Sequence, residues 1–266
     1  MNDNIKIGII GAGNMGGAIA RGLSKTLKSE NIIICEKNNE TALMLSSELK
    51  IRQKADIKGL SEESDVVIIA VKPAIVEEVL QSLKDYSKII ISVAAGVTIH
   101  KIEEIVGNKK IIRAMPNTPA ISGCAMTVLS LSNSITDEES QIALSLFESL
   151  GRVIILDEKY MNAVTAISGS GPAYVFTFIQ AIADAGVKLG LTRNDSLLLA
   201  GQTIFGSAKM FLDKMENPIK LRDNVTSPGG TTIAAVHTLE RSGFSGIVMD
   251  AIEEAFKRAK ELEKLT

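Results

Sequence analysis

The feature that most constrains this chain is a glycine loop set between a strand pattern and a helix pattern. Ile5-Lys6-Ile7-Gly8-Ile9-Ile10 reads as a buried strand, and Asn14 to Leu27 as a helix with Met15, Ile19, Leu23 and Leu27 on one face. Between them stands Gly11-Ala12-Gly13-Asn14-Met15-Gly16, with G-x-G-x-x-G spacing. The first glycine permits the tight turn, the second leaves room for a pyrophosphate, and the third lets helix and strand pack closely. The helix start adds free N–H donors and a partial positive charge. A tight turn without a ligand would show the same spacing, but in this strand–helix setting the motif points to a dinucleotide held by Ile10, Gly11, Ala12, Gly13, Asn14, Met15 and Gly16.

The alternation continues along the chain. Strand patterns cover Asn31 to Cys35, Asp65 to Val71, Lys88 to Val93, Lys110 to Arg113, Cys124 to Leu131 and Arg152 to Leu156. Helix patterns cover Glu40 to Leu49, Ala74 to Leu83 and Asp137 to Leu150, the last with Thr136 as N-cap and Glu139 closing a capping box. Strands separated by helices predict a Rossmann-type, doubly wound parallel sheet. Beyond residue 158 the period is helical throughout, over Pro172 to Leu189, Arg193 to Met215, Thr231 to Glu240 and Phe244 to Leu265. The expected organisation is a dinucleotide-binding domain over residues 1–157 and an all-α substrate-binding and dimerisation domain over 158–266. Small apolar residues such as Ala183, Gly186, Ala200 and Gly201 suit close helix contacts, within the chain or with a second copy.

Composition excludes several classes. A formal net charge of -2 offers no electrostatic footprint for nucleic acid or an anionic membrane. No run approaches the roughly 18 apolar residues of a membrane helix. Met1-Asn2-Asp3-Asn4 is polar and the apolar run after it is too short for a signal core, so a cytoplasmic location is expected. Cys35 and Cys124 lie in apolar runs and read as buried free thiols. His100 and His237 have no ligand-spaced neighbours, so no metal is expected.

Two features bear on the cofactor and substrate. Glu36, at the end of the second strand, suits the ribose hydroxyls of NADH, while Lys37 beside it suits the 2′-phosphate of NADPH. The cofactor is therefore NADPH or NADH, with NADPH slightly favoured. Much later, Thr226-Ser227-Pro228-Gly229-Gly230-Thr231-Thr232 precedes a helix. Such a turn offers converging N–H groups and two hydroxyls to a small carboxylate, although an ordinary capped turn has the same composition. Ser168-Gly169-Ser170-Gly171-Pro172 resembles it, with Ser170 as a helix cap rather than a nucleophile, since no histidine is positioned beside it.

The blocks Ala70-Val71-Lys72-Pro73, Ala94 to Ile99, Arg113-Ala114-Met115-Pro116-Asn117-Thr118-Pro119, Ser168 to Tyr174 and Asp223 to Glu240 resemble, in order, those of the pyrroline-5-carboxylate reductases. The resemblance implies reduction of the C=N bond of 1-pyrroline-5-carboxylate to L-proline, the last step of proline biosynthesis. It implies a homodimer joined through interleaved helical domains, larger rings of dimers, and a substrate site between those domains and the nicotinamide. Carried over by position, Ala70, Val71, Lys72, Pro73, Ala95, Gly96 and Asn224 contact the cofactor. Ser227, Gly230, Thr231 and Thr232 hold the substrate carboxylate, Thr232 reaches the ring nitrogen as the catalytic hydroxyl, and Glu158 lies near the substrate. One departure from the family is Ala55-Asp56-Ile57-Lys58, where many members place an Asn beside the adenosine.

The inventory suits the reaction. Imine reduction needs a hydride at carbon and a proton at nitrogen, so with a hydride cofactor the protein mainly binds and orients. A β-hydroxyacid dehydrogenase-like enzyme would use a catalytic lysine near the domain junction, but Lys159 lacks the surrounding pattern. A non-enzymatic dinucleotide-binding protein would have no need of the second glycine turn.

Overall fold

The computed structural model describes residues 4–265. Met1, Asn2 and Asp3, part of the polar start, and Thr266, the end of the expected second domain, lie outside the described residues.

The strands are β1 (Ile7–Ile10), β2 (Ile32–Cys35), β3 (Arg52–Gln53), β4 (Val66–Ile69), β5 (Ile89–Ser92), β6 (Ile111–Met115), β7 (Ala125–Leu131) and β8 (Gly151–Ile155). Helices α1 (Asn14–Leu23), α2 (Asn39–Leu49), α3 (Ile57–Glu63), α4 (Pro73–Gln81), α5 (Ile99–Val106) and α6 (Asp137–Glu148) connect them. The strands form one sheet in the order β3-β2-β1-β4-β5-β6-β7-β8. Strand order reverses between β1 and β4, and in open sheets of this kind ligands bind beyond the carboxyl ends of the strands at that point.

The central strands are almost wholly apolar because both their faces are covered. Ile7, Ile9, Val66 and Ile68 pack with Ile19, Leu23 and Phe147 on one side. Val67 and Ile69 pack with Leu60, Leu80 and Ile102 on the other. Truncating a fully buried side chain such as Leu80 to Ala costs about 2–5 kcal/mol by the usual transfer and cavity terms.

The expected all-parallel sheet has one reversal. β6 and β7 pair antiparallel, with Met115 opposite Val128. Only the short turn Thr118–Ser122 joins them, and a parallel crossover needs a dozen residues or more. β8 returns parallel to β7 after α6, whose predicted capping box is present: Thr136 Oγ1 accepts from the Glu139 N–H, and Glu139 Oε2 from the Thr136 N–H. α1 stops at Leu23 rather than Leu27, since the Lys25 N–H turns to the Gly22 carbonyl, although Leu27 stays buried.

After β8 come α7 (Met161–Val164), a π-helical turn (Thr165–Gly169), α8 (Gly171–Lys188), α9 (Arg193–Lys214), α10 (Pro218–Asn224), α11 (Thr231–Arg241) and α12 (Phe244–Leu265). Among the described residues no strand follows β8, as the helical period beyond residue 158 predicts. The chain divides into two compact units. One holds the sheet, everything to Ser170 and the segment from Ala255 onward; the other is Gly171–Glu254. In the second unit α8 and α9 pack closely. A Cβ on Gly186 would lie 2.5 Å from Ser196 Oγ, and Ala183 and Ala200 are fully buried. Thr192 caps α9 by accepting from the Asp195 N–H. The unit nevertheless leaves Phe176, Leu198, Phe205, Ile247 and Met249 exposed.

The cysteines depart from expectation. Cys35 is half-buried at the last position of β2, and Cys124 is exposed. Cys124 stands before β7 begins, in the turn made by left-handed Gly123, and so lies outside the strand alternation.

Candidate functional site

The three loop glycines sit in three different environments. Gly11 has φ +93, and a Cβ there would lie 2.7 Å from the Ala70 carbonyl oxygen, so the turn needs glycine twice over. A Cβ on Gly16 would fall 1.9 Å from the Gly11 carbonyl oxygen, which closes the helix onto its own loop. Gly13 is the exception, since a Cβ there meets nothing within 4 Å. Its lack of a side chain does nothing for packing and leaves open space where a phosphate would approach. Gly13 is also the N-cap of α1, with no side-chain cap and no acid in the first turn. The first-turn N–H groups therefore face that space with their partial positive charge.

The loops after the neighbouring strands complete the wall. The Ala70 N–H donates to the Ile10 carbonyl, tying the end of β4 to that of β1. Val71 is half-buried and Lys72 is exposed as the N-cap of α4, with Pro73 opening the helix. After β5, Gly96 takes φ +80 and is buried, with Ala95 exposed beside it.

A cavity of about 810 Å³ runs along these strand ends, bounded by Ile10, Gly11, Gly13, Glu36, Lys37, Ala70, Val71 and Lys72. Its size lies within the range of small-molecule and cofactor sites. Eight of the residues foreseen for the cofactor lie off this wall. Ala12, Asn14, Met15 and Gly16 belong to the loop itself, Pro73 to α4, Ala95 and Gly96 to the β5 loop, and Asn224 to the end of α10 in the second unit. The cavity also takes in Ala55, Asp56, Ile57 and Lys58, the stretch that stands in place of the family's adenosine-side Asn, together with Ile75, Val79 and Ser82, which were not foreseen. Asp56 Oδ1 accepts from the Gly59 N–H at 2.7 Å and so starts α3. That Asp-x-x-Gly cap was the available signal. Glu36 is held by two backbone donors, with Oε2 accepting from the Ala12 N–H at 2.7 Å and Oε1 from the Asn38 N–H at 2.9 Å.

Glu158 lies elsewhere on the sheet unit. Its Oε1 accepts from the Ile99 N–H at 2.8 Å and from Arg113 Nη1 at 3.0 Å. Arg113, on β6, is only 4% exposed and also meets Glu263 at 3.6 Å. The Glu158 carboxylate thus caps the start of α5 and neutralises a buried guanidinium. Asn117, from the same Arg113–Pro119 block, accepts from the Met126 N–H and donates to the Ser168 carbonyl in the π-helical turn. Neither Arg113 nor Asn117 was singled out in the sequence, where no spacing rule marks them.

The second glycine turn has its own geometry in the second unit. The Gly230 N–H donates to the Ser227 carbonyl, Pro228 takes the second position, and Gly229 has φ +67, as a type II turn requires. A Cβ on Gly230 would lie 2.2 Å from Ser227 Oγ. Gly230, not a hydroxyl residue, is the N-cap of α11, and no side chain caps the helix. The first-turn N–H groups and the Thr231 and Thr232 side chains stand together at that end, with Thr231 exposed and Thr232 half-buried. The arrangement can receive a small anion. His237 is exposed on α11, and exposed His100 pairs with Glu104 at 3.4 Å.

A family model described as pyrroline-5-carboxylate reductase dimerisation matches residues 158–262. A second, described as NADP oxidoreductase, coenzyme F420-dependent, matches residues 6–96. The chain is 44% identical to a pyrroline-5-carboxylate reductase of Aquifex aeolicus over 97% of each chain. A solved pyrroline-5-carboxylate reductase from Coxiella burnetii superposes with a TM-score of 0.93 at 34% identity, over 97% of this chain and 98% of that one. A Plasmodium falciparum pyrroline carboxylate reductase with NADP bound gives 0.86 at 36% identity, over 98% and 99%.

Proposed function

The chain belongs to the pyrroline-5-carboxylate reductase family, and from that premise we propose that it reduces the C=N bond of 1-pyrroline-5-carboxylate to proline with hydride from NAD(P)H. The observation that carries the reading is a second anion cradle besides the dinucleotide loop: the tight Ser227–Gly230 turn leading into an α11 with no side-chain cap.

The cofactor, when bound, supplies the hydride. The chain supplies position and charge. Gly11, Gly13 and Gly16, with the first turn of α1, take the pyrophosphate. Ala70, Val71, Lys72, Pro73, Ala95, Gly96 and Asn224 are assigned to the rest of the cofactor. Ser227, Gly230 and Thr231 take the substrate carboxylate through the α11 N-terminus, a contribution of about 0.3–2 kcal/mol before individual hydrogen bonds are added. Thr232 is assigned to the ring nitrogen, where its hydroxyl holds the imine in line for hydride attack at the adjacent carbon. Glu158 belongs to the reading at one remove, because its carboxylate already serves Ile99 and Arg113. In domain terms, residues 1–157 bind the dinucleotide and 158–266 bind substrate and dimerise. The start of the dimerisation match at residue 158 supports that division. Assembly of dimers into larger rings and a cytoplasmic location complete the proposal.

Thr232→Ala tests it. The hydroxyl caps no helix, so the fold should be retained, with stability changed by no more than about 0.5 kcal/mol. Losing a hydrogen bond to a charged imine should lower kcat/KM by about tenfold to a hundredfold. An unchanged kcat/KM in a folded variant would remove Thr232 from the mechanism.

A further inference from the structure

We propose that Glu36 sets the cofactor preference of this chain, receiving the ribose 2′-hydroxyl of NADH and rejecting the 2′-phosphate of NADPH. The inference rests on the reading above only in requiring that the site take a nicotinamide dinucleotide. Glu36 stands at the carboxyl end of the sheet, immediately after β2, and lines the cavity that passes Gly13. Each of its carboxylate oxygens already accepts one backbone N–H, from Ala12 and from Asn38. These two bonds hold the carboxylate in one orientation. A carboxylate has about four acceptor positions, so roughly two remain for a ribose diol. A phosphate on that ribose would bring a second anion against a carboxylate that cannot turn away without breaking both bonds.

The other charged groups on the cavity are Asp56, Glu78, Lys37, Lys58 and Lys72. Asp56 is also held in place, by the Gly59 N–H. The thiol of Cys35, on the same wall, is pushed up by burial and further by the charges of Asp56 and Glu36, so the negative field there is felt by a third group. The three lysines are exposed. Their ammonium groups ride on flexible, well-hydrated stems, and closing them on a phosphate costs side-chain entropy. The positive charges sit on flexible stems, while two of the negative ones, Glu36 and Asp56, are fixed by backbone donors, which selects the diol over the phosphate.

Equilibrium binding to the full chain, read by nicotinamide fluorescence, should show NADH at least about tenfold tighter than NADPH, as expected when a fixed acid meets the ribose. Calorimetry with 5′-AMP and with adenosine 2′,5′-bisphosphate isolates the adenosine end and should show the same order in the wild type. Glu36→Gln keeps the size and one acceptor but removes the charge, and should move the NADH-to-NADPH affinity ratio by about tenfold toward NADPH. Equal or tighter binding of NADPH and of the bisphosphate by the wild type would overturn the proposal. So would a folded Glu36→Gln protein whose ratio is unchanged. None of these measurements contains the imine substrate, so their outcome is independent of whether pyrroline-5-carboxylate is reduced.

Discussion

At Gly16 an added Cβ would lie 1.9 Å from a backbone oxygen, whereas at Gly13 it would meet nothing within 4 Å. The two glycines of one motif therefore separate stability from binding. Gly16→Ala should destabilise the sheet unit by several kcal/mol, since α1 must move away from its own loop, about the cost of overpacking a core. Gly13→Ala should change stability by less than about 1 kcal/mol, as an N-cap exchange of glycine for alanine does. It should weaken dinucleotide binding by more than about tenfold, because the methyl group occupies the phosphate space. Thermal denaturation and cofactor titration of the two variants check the contrast; equal loss of stability in both would contradict it. The motif and its strand–helix setting were legible in the sequence, and so was the position of Glu36. What Glu36 bonds was not, because its partners, Ala12 and Asn38, are backbone groups brought to it by the end of β2. Glu158 shows the same limit. Position placed it near the substrate, but its contacts to Ile99 and Arg113 follow from long-range packing of β6 and α5. Removing Glu158 by Glu158→Ala should cost about 3–5 kcal/mol by leaving buried Arg113 without its nearest counter-charge.

Long, strongly periodic elements such as α8, α9 and α12 could be read from the sequence nearly to their ends, as could the β1, β2, β4 and β5 runs. The short helices α3, α5 and α10 could not, because seven or eight residues hold too few turns for an apolar stripe to repeat. Tertiary packing makes them helical: Leu60 of α3 and Ile102 of α5 are fully buried under the sheet. The reversal at β7 was hidden for a different reason, since strand direction depends on how far the connection can reach. One element carries a pH-dependent tie. Lys54, and then Arg52, hold the Glu63 carboxylate at the end of α3 down to about 2 from its usual value. A folded-state pKa below the unfolded one stabilises the fold above the unfolded pKa, and this contribution is lost as pH falls through the folded value. Melting temperature should therefore fall between about pH 4.5 and pH 2, and Glu63→Gln should flatten part of that fall. An identical acid slope in the variant would show that the pair does not couple to folding.

The molecule as a whole is two compact units carrying two glycine-built cradles, one in each. The second unit exposes Phe176 at 64% and Leu198 at 71%, apolar surface that a helical dimer interface would cover. The match to a dimerisation family over residues 158–262 agrees with this. Phe176→Glu combined with Leu198→Glu should convert the dimer to monomer in sedimentation experiments, and an undisturbed dimer would move the interface to another face. That the second unit is helical and apolar was visible in its period and small residues. Which apolar faces are left exposed was not, because that depends on the packing of α8 on α9. The most direct measurement of the central claim combines the purified chain, 1-pyrroline-5-carboxylate and NADH or NADPH, and follows cofactor oxidation together with proline formed. Oxidation should require the imine and match proline mole for mole. Tight dinucleotide binding with no imine-dependent oxidation from either cofactor would contradict that claim.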